Sequence, residues 1–151
     1  MAIHVPLLSR RSEELPLEVE RVEALIRDIP ATIRLFPELR RIVELGGGAY
    51  RWELEPLGTA VYKVPITFAN RFSVSGHTVT FAPIPEVGNA RIGGALAFEG
   101  LGGATRFSLR VEGRIMLPLP VLLKPVAAPV VASEFERLVD GFAANILRSL
   151  A

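Results

Sequence analysis

Cysteine is absent from the 151 residues, which excludes disulfides, thiol catalysis and thiolate metal sites at once. Glutamine is missing, asparagine occurs only at 70, 89 and 145, and two histidines, His4 and His77, cannot build a histidine-rich metal centre. Neither charge sign dominates. Seventeen Lys plus Arg stand against 16 Asp plus Glu, so the net charge of +1 gives no overall field to draw in nucleic acid. Long uninterrupted apolar runs are lacking as well. The greasiest stretch, Ile115 to Ser133, carries only Lys124 as a charge, but Pro118, Pro120, Pro125 and Pro129 break it, and a spanning helix tolerates so many breakers poorly. The first residues show no basic region followed by a long apolar core, so the expected address is cytosolic and soluble.

What is present is apolar substance. Hydrophobic residues make up 50% of the chain and the mean hydropathy is +0.36, which rules out disorder by composition. One domain spanning 1–151 is the expectation, long enough to bury a core without staples. Few amides and frequent proline suit a thermophile, and a GC-rich bacterial genome accounts equally well for arginine outnumbering lysine 15 to 2.

Along the chain the hydrophobic period changes twice. Ile3 to Leu17 reads as a strand or a broken pair of strands, with Ile3, Val5 and Leu7 alternating; Pro6 and Pro16 place it toward an edge. Val22, Leu25, Ile26 and Ile29 form a helical stripe, and Pro30 opens a second short helix over Ala31 to Phe36 that Pro37 stops. The period then becomes two. Strands are expected over Leu39–Leu45, Tyr50–Leu57, Tyr62–Val74, His77–Phe81, Arg91–Glu99 and Thr105–Met116. Gly46-Gly47-Gly48, Gly58-Thr59, Ser75-Gly76 and Gly100–Gly103 are their turns, and Pro83 to Asn89 is a loop. Each strand has one apolar face, so the sheet is antiparallel with one wet side. Pro118 to Pro129 is interrupted apolar sequence, with any helix there kinked at its prolines. From Val131 onward Phe135, Leu138, Val139, Phe142, Ile146 and Leu147 sit at helical spacing, so a long amphipathic helix covers the dry face of the sheet.

This order resembles the START/polyketide-cyclase superfamily (SRPBCC, the helix-grip fold). Val22-Glu-Ala-Leu25-Ile26-Arg-Asp28 with the Pro30–Pro37 segment is similar to the family's first helical pair, and Tyr50-Arg-Trp-Glu-Leu falls where its third strand does. Gly102-Gly-Ala-Thr105-Arg-Phe-Ser-Leu is similar to the turn leading into its last strand. Phe135-Glu-Arg-Leu-Val-Asp-Gly-Phe-Ala-Ala-Asn resembles the closing helix of the members associated with carbon monoxide dehydrogenase. The resemblance covers essentially the whole chain. It implies an α+β fold in which a curved antiparallel sheet of about seven strands wraps a long C-terminal helix, with two short helices after the first strand. It also implies a cavity between sheet and helix, in a family that binds lipids, sterols, polyketides, quinones or hormones. A minority of its members catalyse aromatisation or cyclisation. No catalytic residue is universal there, so none carries over.

The chain carries none of the common catalytic signatures. There is no G-x-S-x-G elbow, phosphate-binding loop or H-E-x-x-H pair, and nothing calls for a metal or cofactor. Gly46 to Gly48 is a plain hairpin turn, and Gly93-Gly94 lets the sheet bend or a helix approach. His77, beside a turn, is either solvated or a general base. Asn70 is the one amide on an apolar face running from Tyr62 to Val74. Either a bulge after Pro65 turns it outward, or it joins Tyr62 and Trp52 as a polar contact in an apolar pocket. The row Arg106, Arg110, Arg114 reads as a solvated face with cross-strand ion pairs, without the aromatics that nucleic-acid binding would want.

The leading expectation is a carrier for an apolar small molecule (lipid, quinone or polyketide-like), without catalysis. Its lining candidates are Trp52, Tyr62, Ile66, Phe68, Asn70, Phe81, Leu96, Phe98, Phe107 and Leu109 from the sheet, with Phe135, Leu138 and Phe142 from the helix. That expectation fails if side chains fill the space and leave no void larger than a few waters. The alternatives are a cyclase/aromatase-type enzyme and an assembly factor with a closed core. Ile115–Ala132 is either core or a greasy contact for a membrane or protein partner. The oligomeric state is not encoded in any pattern here.

Overall fold

The computed structural model describes residues 3–58 and 63–150. A first strand, β1 (Ile3–Leu15), is followed by two short helices, α1 (Val19–Arg27) and α2 (Ile29–Ile33). Six strands come next: β2 (Leu39–Gly46), β3 (Ala49–Gly58), β4 (Lys63–Ser75), β5 (Thr78–Pro83), β6 (Ala90–Gly100) and β7 (Thr105–Leu117). A short 3-10 turn, Val121–Leu123, leads into the closing helix α3 (Lys124–Leu150). The expected order of elements is therefore the observed one.

All strand pairs are antiparallel and the order across the sheet is β1-β7-β6-β5-β4-β3-β2. Strands β2 to β7 form a meander, and β1 returns to the far edge beside β7, with Ile3 opposite Leu117 and Leu15 opposite Thr105. Pro6 lies in this edge strand, where its missing N–H breaks no ladder on the free side. The triple glycine is the β2–β3 turn, with φ of 89°, 61° and 78° at Gly46, Gly47 and Gly48, a conformation side chains disfavour.

Alternation decides which side chains face α3. Val64, Ile66, Phe68 and Asn70 of β4 are buried while Lys63, Pro65 and Arg71 are exposed; Phe107, Leu109, Val111 and Ile115 of β7 are buried against outward Arg106, Arg110 and Arg114. The apolar face of β4 stops earlier than its spacing predicts. Phe72 is half-buried and Val74 is 45% exposed, because the strand there runs past the end of the core.

Two boundaries differ for physical reasons. The second helix begins at Ile29, where the Asp28 carboxylate accepts from the Ala31 amide at 3.3 Å, and it ends at Ile33. Leu35 and Phe36 continue in tighter turns, bonding back to the carbonyls of Thr32 and Ile33. The last helix begins seven residues before Val131, since 131 − 124 = 7. Pro125 sits in its first turn, where no N–H is needed, and Pro129 deprives only the carbonyl of Pro125, which is exposed. The Gly58-Thr59 turn and Tyr62 involve residues outside the described ones.

Candidate functional site

The space between sheet and α3 is occupied by an aromatic cluster. Trp52 stacks on Phe68 at 5.0 Å and on Phe72 at 6.3 Å, and Phe72 stacks on Phe81 at 5.6 Å. Phe36 closes the cluster from the end of the helical pair. It meets Trp52 edge-on at 5.5 Å, Phe142 at 5.3 Å and Phe135 at 6.1 Å. A void of about 10 Å³ remains among Phe36, Trp52, Phe68, Phe81, Ile92, Val111, Phe135 and Phe142. That is room for one water.

Five of the expected lining residues therefore meet round one void: Trp52, Phe68, Phe81, Phe135 and Phe142. Ile66, Leu96, Phe98, Phe107, Leu109 and Leu138 are buried in the same core but do not border it. Tyr62 lies outside the described residues. Phe36, Phe72, Ile92 and Val111 were not among the expected lining residues. Alternation marked Phe72 and Val111 as inward, whereas Phe36 sits in a turn with no periodic pattern to mark it.

Asn70 points inward and is completely buried, so a bulge turning it outward is excluded. Its Nδ2 donates to the Ile92 carbonyl. The register explains why. Phe81 pairs with Gly94 and Pro83 with Asn70, so continuing the β5–β6 ladder would put Pro83 opposite Ile92. Proline has no N–H to give, and the Asn70 amide supplies the bond from one strand further away. Asn70 Oδ1 and Trp52 Nε1 are both buried without a partner among the described residues. Trp52 stacks on Phe68 and Phe72, the two rings that flank Asn70 along β4.

A second, more open apolar cleft of about 90 Å³ lies where the start of α3 crosses the ends of β3 and β4. Leu57, Gly58 and Val64 face Val126, Ala127, Val130 and Val131 across it. The Ile115–Ala132 segment divides here. Ile115, Leu117, Leu119, Ala127 and Val131 are core, whereas Val121, Leu122, Leu123 and Val126 are exposed, Leu122 by 89%.

Polar chemistry lies around the rim rather than inside. His77 lies in the β4–β5 turn, one residue before the strand it was expected to begin; it is 56% exposed, 3.8 Å from the Glu23 carboxylate and edge-on to Phe98, so it does not reach the aromatic void. The buried polar side chains among the described residues are Ser9, Thr32, Asn70 and Thr105. Thr32 and Thr105 donate to the carbonyls of Leu25 and Leu17, at 2.9 and 2.8 Å. Ser9 donates to Glu136 at 2.6 Å, and Arg11 bridges Glu136 and Asp140 at 2.7 and 2.6 Å, which ties α3 to the edge strand. The Ser9 hydroxyl, followed by the Arg11 guanidinium, holds the Glu136 carboxyl below its usual range. Burial holds the Tyr50 hydroxyl above its usual value, with the charges of Glu44 and Asp28 adding to it.

No family model and no curated protein matches the chain. Solved structures do. A START superfamily protein from Mycobacterium smegmatis superposes with a TM-score of 0.70 at 13% identity, over 95% of this chain and 96% of that one. The Zhui aromatase/cyclase from Streptomyces sp. R1128 gives 0.60 at 12% identity, over 99% and 92%. The fold is START-like. Norcoclaurine synthase from Thalictrum flavum, in complex with dopamine and hydroxybenzaldehyde, shares the helix grip at a TM-score of 0.62 and 12% identity, over 97% and 87%. These neighbours lend no support to the finer likeness to the members associated with carbon monoxide dehydrogenase. No helix among the described residues is long and apolar enough to cross a membrane.

Proposed function

We propose that this chain binds a small apolar molecule between the sheet and α3, acting as a carrier rather than a catalyst. One observation carries the reading: Trp52, which borders the void, has a buried and unpartnered Nε1, and the same apolar core holds a second unpartnered polar atom, Asn70 Oδ1. An apolar body with a single hydroxyl would suit that lining, accepting from the indole and donating to the amide oxygen. Hydroxylated lipids and phenolic polyketide-like molecules have this character, whereas a quinone, with carbonyls only, would accept from the indole alone. The void of about 10 Å³ meets the condition under which an open, preformed pocket fails, so the carrier reading stands only for an interior that opens for loading. The cleft between α3 and the ends of β3 and β4 is the natural route, with exposed Val121, Leu122, Leu123 and Val126 touching the donor membrane or protein.

The filled interior favours a second reading, an assembly factor whose closed core serves only to present the exposed apolar tip. Native and denaturing mass spectrometry of gently purified protein, with organic extraction, separates the two. A reproducible apolar molecule released on denaturation is the expected result. An empty protein whose melting temperature ignores a panel of lipids and quinones would sink the carrier reading and leave the assembly role.

A further inference from the structure

On the outer face of the sheet, two cross-strand pairs set like charges against each other. Arg10 of β1 stands opposite Arg110 of β7, and Arg91 of β6 opposite Arg114 of β7. Like charges directly opposite destabilise a sheet. The cross-strand ion pairs expected for this row form only at Arg106, which bonds Glu99 at 3.0 Å and Glu14 at 3.2 Å. Arg110 has Glu112, its neighbour on the same strand, at 3.4 Å, and Arg91 donates to the Pro85 carbonyl at 3.3 Å. Among the described residues no carboxylate pairs with Arg10, Arg91 or Arg114.

These arginines border a trough. Gly93, Ala95 and Ala97 of β6 face outward with little or no side chain. Gly93 cannot carry more, because a Cβ there would lie 2.6 Å from Pro83 Cδ and 2.7 Å from the Phe81 carbonyl. The hollow beside Arg91, Arg110 and Arg114 measures about 540 Å³, and it adjoins a second of about 350 Å³ beside Arg10 and Arg110. Arg110 and Arg114 are four residues apart on one strand, so the two arginine pairs are separated by about 13 Å. One carboxylate or one phosphate group cannot touch both. An extended peptide has the same rise, so its residues i and i+4 match the two pairs. Glu112 stands between them on the same face and repels an acid at i+2.

We propose that this trough docks an extended acidic segment of a partner protein, with carboxylates at i and i+4 and a neutral or basic residue at i+2. The proposal is independent of the interior and of what binds there.

The test is an NMR titration of the full chain at low salt, following the arginine Nε–Hε signals. Two blocked peptides of identical composition serve as probes, Glu-Ser-Lys-Ser-Glu and Glu-Ser-Glu-Ser-Lys, beside tripolyphosphate and oligothymidylate. Saturable shifts at Arg10, Arg91, Arg110 and Arg114 are expected with the first peptide, with affinity about fivefold above the second. Arg114→Gln should weaken that binding about fivefold while raising the melting temperature by about 1–3 °C, since repulsion with Arg91 is relieved. Equal response to both peptides, preference for either phosphate polymer, or no saturable shift would overturn the proposal. So would a lower melting temperature for Arg114→Gln, which would make the arginine a structural residue.

Discussion

With Pro83 unable to serve the Ile92 carbonyl, the Asn70 side chain is the group that stands between that carbonyl and an unpaired burial. Asn70→Leu keeps the volume and removes the donor, and should cost about 1–3 kcal/mol in urea unfolding. A loss below about 0.5 kcal/mol would mean that the carbonyl finds another partner. The Ser9–Glu136–Arg11 network makes a different residue-scale statement, one about pH. Because the folded-state carboxyl of Glu136 is held low, its contribution is present above the unfolded value of about 4.3 and is lost as pH falls through the folded one. Ser9→Ala should therefore be less stable than the parent by about 1 kcal/mol at neutral pH, and the two should converge in acid. Urea melts at a series of pH values from 7 downward check this, and a difference that never narrows would speak against the linkage. Neither arrangement could be read from the chain alone. Asn70 stood out as an amide on an apolar stripe, but its partner lies on a strand two positions away in the sheet, and Ser9 carried no mark beyond its parity with Ile3, Val5 and Leu7.

At the scale of elements, α3 is fixed by close approach as well as by burial. Gly141 lies against Pro37, such that a Cβ at 141 would stand 2.6 Å from Pro37 Cγ, and Asn145 donates to the Leu35 carbonyl at 2.7 Å nearby. Gly141→Ala thus sets two effects against each other. Helix propensity favours alanine by about 1 kcal/mol, whereas overpacking costs about 1–3 kcal/mol. Destabilisation is the expected sign, and a rise in the urea midpoint would show that Pro37 yields freely. The elements themselves were legible because each strand shows one apolar face and the turns are marked by glycine. Where the reading slipped, proline was the cause. Pro118, Pro120, Pro125 and Pro129 suggested a broken segment, yet 125 falls in a first turn and the bond lost at 129 belongs to an exposed carbonyl. Position relative to a helix start, not proline content, decides the outcome, and that position is set by how α3 docks.

For the whole molecule, the central question is whether the interior behaves as a core or as a site. Phe135 is 1% exposed, touches Phe36 and borders the void. Phe135→Ala should cost about 3–5 kcal/mol if the cluster is rigid, and the enlarged cavity should then take up a small aromatic probe. A cost near 1 kcal/mol would indicate that the interior already rearranges readily, as loading requires. Differential scanning calorimetry with and without indole distinguishes the cases. The sequence showed which side chains face inward, since that follows from strand parity. It could not show how nearly they fill the space, because filling depends on strand register, on the depth of α3 and on Phe36 arriving from a turn.

The pairing of β1 with β7 has a consequence during synthesis. The nearest paired residues, Leu15 and Thr105, are 105 − 15 = 90 positions apart, and Ile3 and Leu117 are further still. At roughly 5–20 residues per second, the ribosome takes about 5–20 seconds to deliver the partner strand after the first one has emerged. Throughout that interval Ile3, Val5 and Leu7 present an unpaired apolar edge, while the β2-to-β7 meander can form in the order in which it is made. The first of these strands to be made is thus the last to be placed, and chaperones that recognise short apolar segments have their longest opportunity at β1.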